Sequence, residues 1–96
     1  MTGFVFSPRA KADIEEIWDY TAAHWSVRQA EAHIRQIQAA IETIAAAPKL
    51  ARSCDDVRAG YWKYPAGSHM IFFRLIPGGI DIVRILHSRM DFERNL

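Results

Sequence analysis

The stretch YWKYPAGSHMIFFRLIPGGIDIVRILH, residues 61–87, decides the fold. Tyr61-Trp62-Lys63-Tyr64 is aromatic and strand-prone, Ser68 to Ile76 is rich in β-formers, and Ile80 to Leu86 is dense in β-branched residues. Pro65-Ala66-Gly67 and Pro77-Gly78-Gly79 separate these runs as turns. Three strands joined so closely predict an antiparallel meander.

Working back toward the start, residues 49–58 show neither helical nor strand period and read as a connecting loop with one helical turn. Before them, Ala30, Ile34, Ile37, Ile41 and Ile44 keep steps of four and three, Ser26 stands three residues ahead of Gln29 as a capping box, and Pro48 stops the run near Ala47. Ile14, Ile17, Trp18, Thr21 and Trp25 form a second amphipathic stripe, with Asp13, Glu15, Glu16 and Asp19 on its other faces. The short junction His24-Trp25-Ser26 allows only a close antiparallel return, so the two helices form a hairpin. Phe4-Val5-Phe6 reads as a strand, and Ser7-Pro8 as the cap and first turn of the first helix. Toward the end, a short helix is expected to start near Asp91. The order β-α-α-β-β-β is an α+β fold: an N-terminal strand and a helical hairpin packed on an antiparallel sheet.

The 96 residues suit one domain, and 50% apolar with 24% charged residues is a globular composition. One cysteine, Cys54, cannot form an internal disulfide, and neither a Cys/His zinc spacing nor a CxxC pair occurs. No cofactor or metal is therefore expected. Met1-Thr2-Gly3-Phe4-Val5-Phe6 lacks the basic start and apolar run of a signal peptide, and no stretch approaches a membrane span. The expectation is a cytoplasmic protein in a reducing compartment, with neither membrane contact nor a small-molecule substrate.

Charge is uneven although the net is +1. Residues 1–48 hold four Lys/Arg against six Asp/Glu, and residues 49–96 hold eight against five, giving −2 and +3. The second half is the better seat for an acidic partner.

Four histidines bear on chemistry. His24 and His33 fall on helices and read as surface residues, whereas His69 and His87 fall on strands and can converge. Catalysis by that pair needs a carboxylate orienter or a nucleophile beside it; otherwise the pair is a structural hydrogen bond. Arg74 and Arg84 interrupt apolar strands, where a charge needs solvent or an anion. A three-residue loop at Gly78-Gly79-Ile80 would make them cross-strand neighbours in an anion-binding patch, and a one-residue change of register would separate them. The competing reading pairs each with Asp81, Asp91 or a helix carboxylate. Tyr61, Trp62 and Tyr64 read either as core or as stacking and hot-spot residues.

Three blocks taken together resemble a known family. Residues 7–20, from Ser7-Pro8-Arg9 to Trp18-Asp19-Tyr20, then Gly67-Ser68-His69-Met70-Ile71-Phe72-Phe73-Arg74, then Ile82-Val83-Arg84-Ile85-Leu86-His87-Ser88-Arg89-Met90-Asp91, are similar to the ParE toxins of the RelE/ParE superfamily. The resemblance covers nearly the whole chain. It implies a type II toxin, associated with plasmid stabilisation, that inhibits DNA gyrase by binding it and is neutralised by a ParD-like antitoxin. DNA would be reached only through that antitoxin. Carried to this sequence, the target-contacting surface would comprise Arg84, His87, Arg89 and the terminal segment to Arg94, supported by Arg74. The antitoxin would anchor on Trp18, Trp25, Ile34 and Ile37. RelE-like relatives instead cut mRNA on the ribosome, using sheet cations and a tyrosine or histidine near the C-terminus. Here the last tyrosine is Tyr64 and the strand after the turn opens Ser68-His69-Met70, which speaks against that branch, with His87 and Arg89 as a remnant.

Overall fold

The computed structural model describes residues 3–96; Met1 and Thr2, the first residues of the run read for a signal peptide, lie outside the described residues. Strand β1 (Gly3–Phe6) leads into helix α1 (Pro8–His24) and helix α2 (Val27–Ala46), and a 3₁₀ turn (Pro48–Leu50) precedes the short strand β2 (Arg52–Ser53). The meander follows as β3 (Tyr61–Ala66), β4 (His69–Ile76) and β5 (Gly79–His87), and α3 (Phe92–Asn95) ends the chain. The five-stranded sheet has the order β1-β5-β4-β3-β2.

Local chemistry sets the helix ends. The Ser7 hydroxyl accepts the Ala10 N–H at 3.0 Å and the Ser26 hydroxyl accepts the Gln29 N–H at 3.0 Å, each satisfying a donor that the first turn leaves free. Asp91 caps α3 in the same way, accepting from Glu93 and Arg94. Pro77 presets one backbone angle of the β4–β5 turn and Gly78 takes a φ of 81°, which together suit a type II turn.

Two details differ from the sequence reading. The 49–58 connection contains, besides its helical turn, the two-residue β2 paired antiparallel with β3. The sheet is also not wholly antiparallel, because β1 lies parallel to β5 with Gly3 opposite Gly79. That pairing demands glycine: a Cβ at Gly79 would sit 2.1 Å from the Gly3 carbonyl oxygen.

Alternation along β4 divides the core between the two sheet faces. Ile71 and Phe73 join Ile37, Ile41, Ile44, Ile80, Ile82 and Ile85 beneath the hairpin. Phe72 points the other way and packs with Cys54 and Leu86 under Phe92 and Leu96. Burial pushes the Cys54 thiol up from its ordinary pKa, so it is a packing group and a poor nucleophile. Trp62 and Tyr64 pack on the hairpin side and Tyr61 on the opposite side, which resolves the aromatic run as packing residues.

A β-bulge then sets up the site. Phe73 pairs with Ile82 and Phe72 with Arg84, leaving Val83 as the extra residue of β5. Strand β1 ends opposite Ile82, so helix α1 takes over the β5 edge from there. Ser7 donates its N–H to the Ile82 carbonyl at 2.9 Å and its hydroxyl to the Val83 carbonyl at 2.7 Å.

Candidate functional site: a groove between the hairpin and the sheet

Helix α1 continues that takeover with a buried carboxylate. Asp13, 7% exposed, accepts the Ile85 N–H on Oδ2 at 2.9 Å. Arg84 clasps the same carboxylate, donating from Nε and Nη2 at 2.8 and 2.9 Å, while its Nη1 donates to the Asn95 carbonyl at 2.7 Å. The bidentate bond raises the guanidinium pKa above its ordinary value against the opposing cost of burial. One arginine therefore ties α1, β5 and the C-terminal helix together.

Arg74 lies opposite Asp81 in the register and donates to it at 2.8 Å. The proposed patch of two unpaired, neighbouring arginines is thus corrected. The turn has two residues, not three, so the register sets Asp81 and not Arg84 opposite Arg74, the bulge at Val83 leaves Arg84 opposite Phe72, and each arginine is neutralised inside the fold. Arg89 and Arg94 are exposed and make no salt bridge among the described residues.

Above Asp13 opens a groove of about 660 Å³, walled by α1, the start of α2, and the adjoining ends of β4 and β5. Three histidines meet in it. His69 faces His87 across the β4–β5 ladder with ring centroids 5.3 Å apart, so the sequence reading that they can converge holds. His33 is not a surface residue as read: it is half-buried, and its Nε2 lies 3.0 Å from His69 Nδ1. His87 Nδ1 accepts the Arg89 N–H at 3.1 Å, which puts its proton on Nε2. Burial, reinforced by the neighbouring His33 and His87, pushes His69 down to about 4, so its ring is neutral near pH 7.

The imidazoles hydrogen-bond to one another and to backbone, and the one deeply buried carboxylate has both oxygens committed to Arg84. A general base oriented by a carboxylate is not assembled in this arrangement. Glu16 also lines the groove. Among the described residues, no group of three or more His, Cys, Asp or Glu is placed to hold a metal ion. No helix among them is long and apolar enough to cross a membrane.

Apolar surface frames the opening. Trp25 follows the last turn of α1 and is 70% exposed, outside the core that its helical spacing predicted, and Tyr20 is 63% exposed beside it. Both line the groove with Ile17 and Met90. The other expected anchors lie elsewhere. Trp18 is half-buried on α1, and Ile34 lines a smaller apolar cavity of about 200 Å³ with Phe4 and Phe6. Ile37 is corrected to a core residue, since at 1% exposure it has no side-chain surface to offer a partner.

Sequence reasoning missed Asp13 and His33, and both left a trace. Asp13 falls three after Ala10 and four before Ile17, and His33 three after Ala30 and four before Ile37. A polar residue inside an apolar stripe requires a buried partner.

Comparison with known proteins follows the same lines. The family model for the ParE toxin of type II toxin-antitoxin systems, parDE, matches residues 4–92. The protein named Toxin ParE1 of Mycobacterium tuberculosis is 51% identical over 94 residues, covering 97% of this chain and 96% of the relative. Toxin ParE1 of Caulobacter vibrioides is 38% identical over 96 residues, covering 100% and 99%. The solved structure titled "Chromosomal ParDE TA system from P. aeruginosa" superposes with a TM-score of 0.79 at 17% identity, covering 91% of this chain and 96% of that one, a likeness of fold.

Proposed function

Because the chain belongs to the ParE toxin family of type II toxin-antitoxin systems, we propose that it inhibits DNA gyrase by binding it, in the cytoplasm, and that a ParD-like antitoxin neutralises it. The action is non-catalytic. Asp13 carries this reading: the carboxylate under the histidine groove holds Arg84 and the Ile85 N–H and makes no hydrogen bond to an imidazole that would orient it for proton transfer.

The groove suits a docked segment better than a reacting one. Exposed tryptophan and tyrosine at its mouth are the side chains that most often anchor protein interfaces. We assign the antitoxin's main anchor to Trp25, with Ile34 at the smaller cavity and Trp18 on α1 as secondary contacts. Ile37 acts from beneath as the floor. The target surface is assigned to the C-terminal segment, with Arg89 and Arg94 exposed for contact and His87 at its root. Arg84 serves there as the positioning residue, holding α3 through the Asn95 carbonyl, and Arg74 stays paired with Asp81 at the far end of β4.

Purified protein added to a gyrase supercoiling reaction tests this. Loss of supercoiling, restored by the antitoxin, is expected. Unaffected supercoiling together with codon-phased mRNA cuts after induction would replace it with the nuclease reading.

A further inference from the structure

One part of the sheet carries cations that form no salt bridge among the described residues. The register sets Arg52 of β2 directly opposite Lys63 of β3, and Lys63 opposite Phe72 of β4. All three side chains therefore leave the same face, the one on which Phe72 packs against Phe92 of α3. Directly opposed residues hold their Cβ atoms about 5 Å apart, where like charges destabilise a sheet. On the same face Arg58 holds its guanidinium 5.7 Å from the centre of the Tyr61 ring.

The salt bridges among the described residues are Arg74–Asp81 and Arg84–Asp13, which leaves Arg52, Arg58 and Lys63 without one. Of the two carboxylates in the loop after β2, Asp55 accepts the Gly60 N–H at 2.7 Å, and Asp56 is exposed and forms no salt bridge. Cations on an exposed edge strand discourage unwanted strand pairing, which accounts for Arg52. It does not account for Lys63, which is half-buried on the next strand in and stands directly opposite a like charge.

We infer that Arg52, Arg58 and Lys63 form an anion-binding surface that takes an acidic segment of a protein partner. Three cations match a few carboxylates, whereas nucleic-acid binding of appreciable strength neutralises roughly six to ten phosphates. The surface lies on the face that α3 covers, so it adjoins the segment assigned above to gyrase. The identity of the partner as gyrase rests on that reading, and the anion site itself does not.

Isotope-labelled protein titrated with a hexaglutamate peptide, and separately with a single-stranded oligodeoxynucleotide of equal charge, tests the site directly. The peptide is expected to shift the backbone amides of Arg52, Arg58 and Lys63, in a manner that added salt abolishes. The double variant Arg52→Gln, Lys63→Gln is expected to bind the peptide roughly tenfold more weakly. Its Tm is expected to match or exceed that of the parent, because the repulsion is removed; a structural pair would instead lower it. Absent shifts, a lowered Tm, or tighter binding of the oligonucleotide than of the peptide would each overturn the proposal. In the supercoiling reaction, parent protein that inhibits and a double variant that inhibits equally well would overturn gyrase as the partner of this surface. Parent protein that fails to inhibit would remove gyrase as the partner, and the peptide titration would then decide the anion site alone.

Discussion

At the scale of single residues, Asp13 decides how the site is built. Replacing it with alanine strands the Arg84 guanidinium and the Ile85 N–H in a poorly hydrated place, and breaking a buried pair in this way costs about 3 kcal/mol or more. Urea denaturation of Asp13→Ala should show that loss, while Asp13→Asn, which keeps an acceptor oxygen, should lose less. His69 gives a pH test. Its folded value near 4 lies below the ordinary 6.5, so the unfolded chain binds the proton more readily. Stability from this group is whole above pH 6.5, falls as the pH drops below that, and is fully lost once the pH passes about 4. Solvent screening of the half-exposed ring limits the loss to about 1 to 2 kcal/mol. Denaturation midpoints of the parent and His69→Gln, compared between pH 7 and 4, should converge by that amount. Trp25 is the opposite case. Its exposure predicts that Trp25→Ala changes stability by no more than about 0.5 kcal/mol, while weakening antitoxin binding by about 2 kcal/mol; calorimetric titration and thermal melts separate the two.

At the scale of elements, the parts that were legible in the sequence are those whose signals are local. The caps at Ser7 and Ser26, the stops around Pro48, and the Pro-Gly turn at Pro77 all act within four residues of themselves, so hairpin and meander could be read directly. The pairing of Arg84 could not. It depends on the bulge at Val83 and on α1 replacing β1 along the edge of β5, a tertiary event some 70 residues away in the chain. The parallel β1–β5 contact was hidden for the same reason, although the adjacent glycines Gly78 and Gly79 marked the place. Gly79→Ala should force β1 outward and destabilise the protein by about 1 to 3 kcal/mol. Hydrogen exchange should then show Phe4 and Phe6 losing protection before the β4–β5 ladder does.

At the scale of the whole molecule, the fold separates two kinds of surface. The hairpin side carries an aromatic-rimmed groove, and the opposite sheet face carries α3 and the unpaired cations Arg52, Arg58 and Lys63. The charge asymmetry between the chain halves pointed to the second surface, but it could not choose among eight cations. Register narrowed the choice, by giving Arg74 and Arg84 internal carboxylates and by setting Arg52 opposite Lys63 on the face that α3 covers. That division fits the proposed action by occupancy, in which partners are held and no bond is broken. Stoichiometry in a supercoiling titration tests it most directly. A binder should require more protein for half-inhibition as the gyrase concentration is raised, in proportion to it, and equimolar antitoxin should restore activity. Supercoiling that stays intact at saturating protein, or inhibition by a small fraction of an equivalent that grows with time, would contradict it.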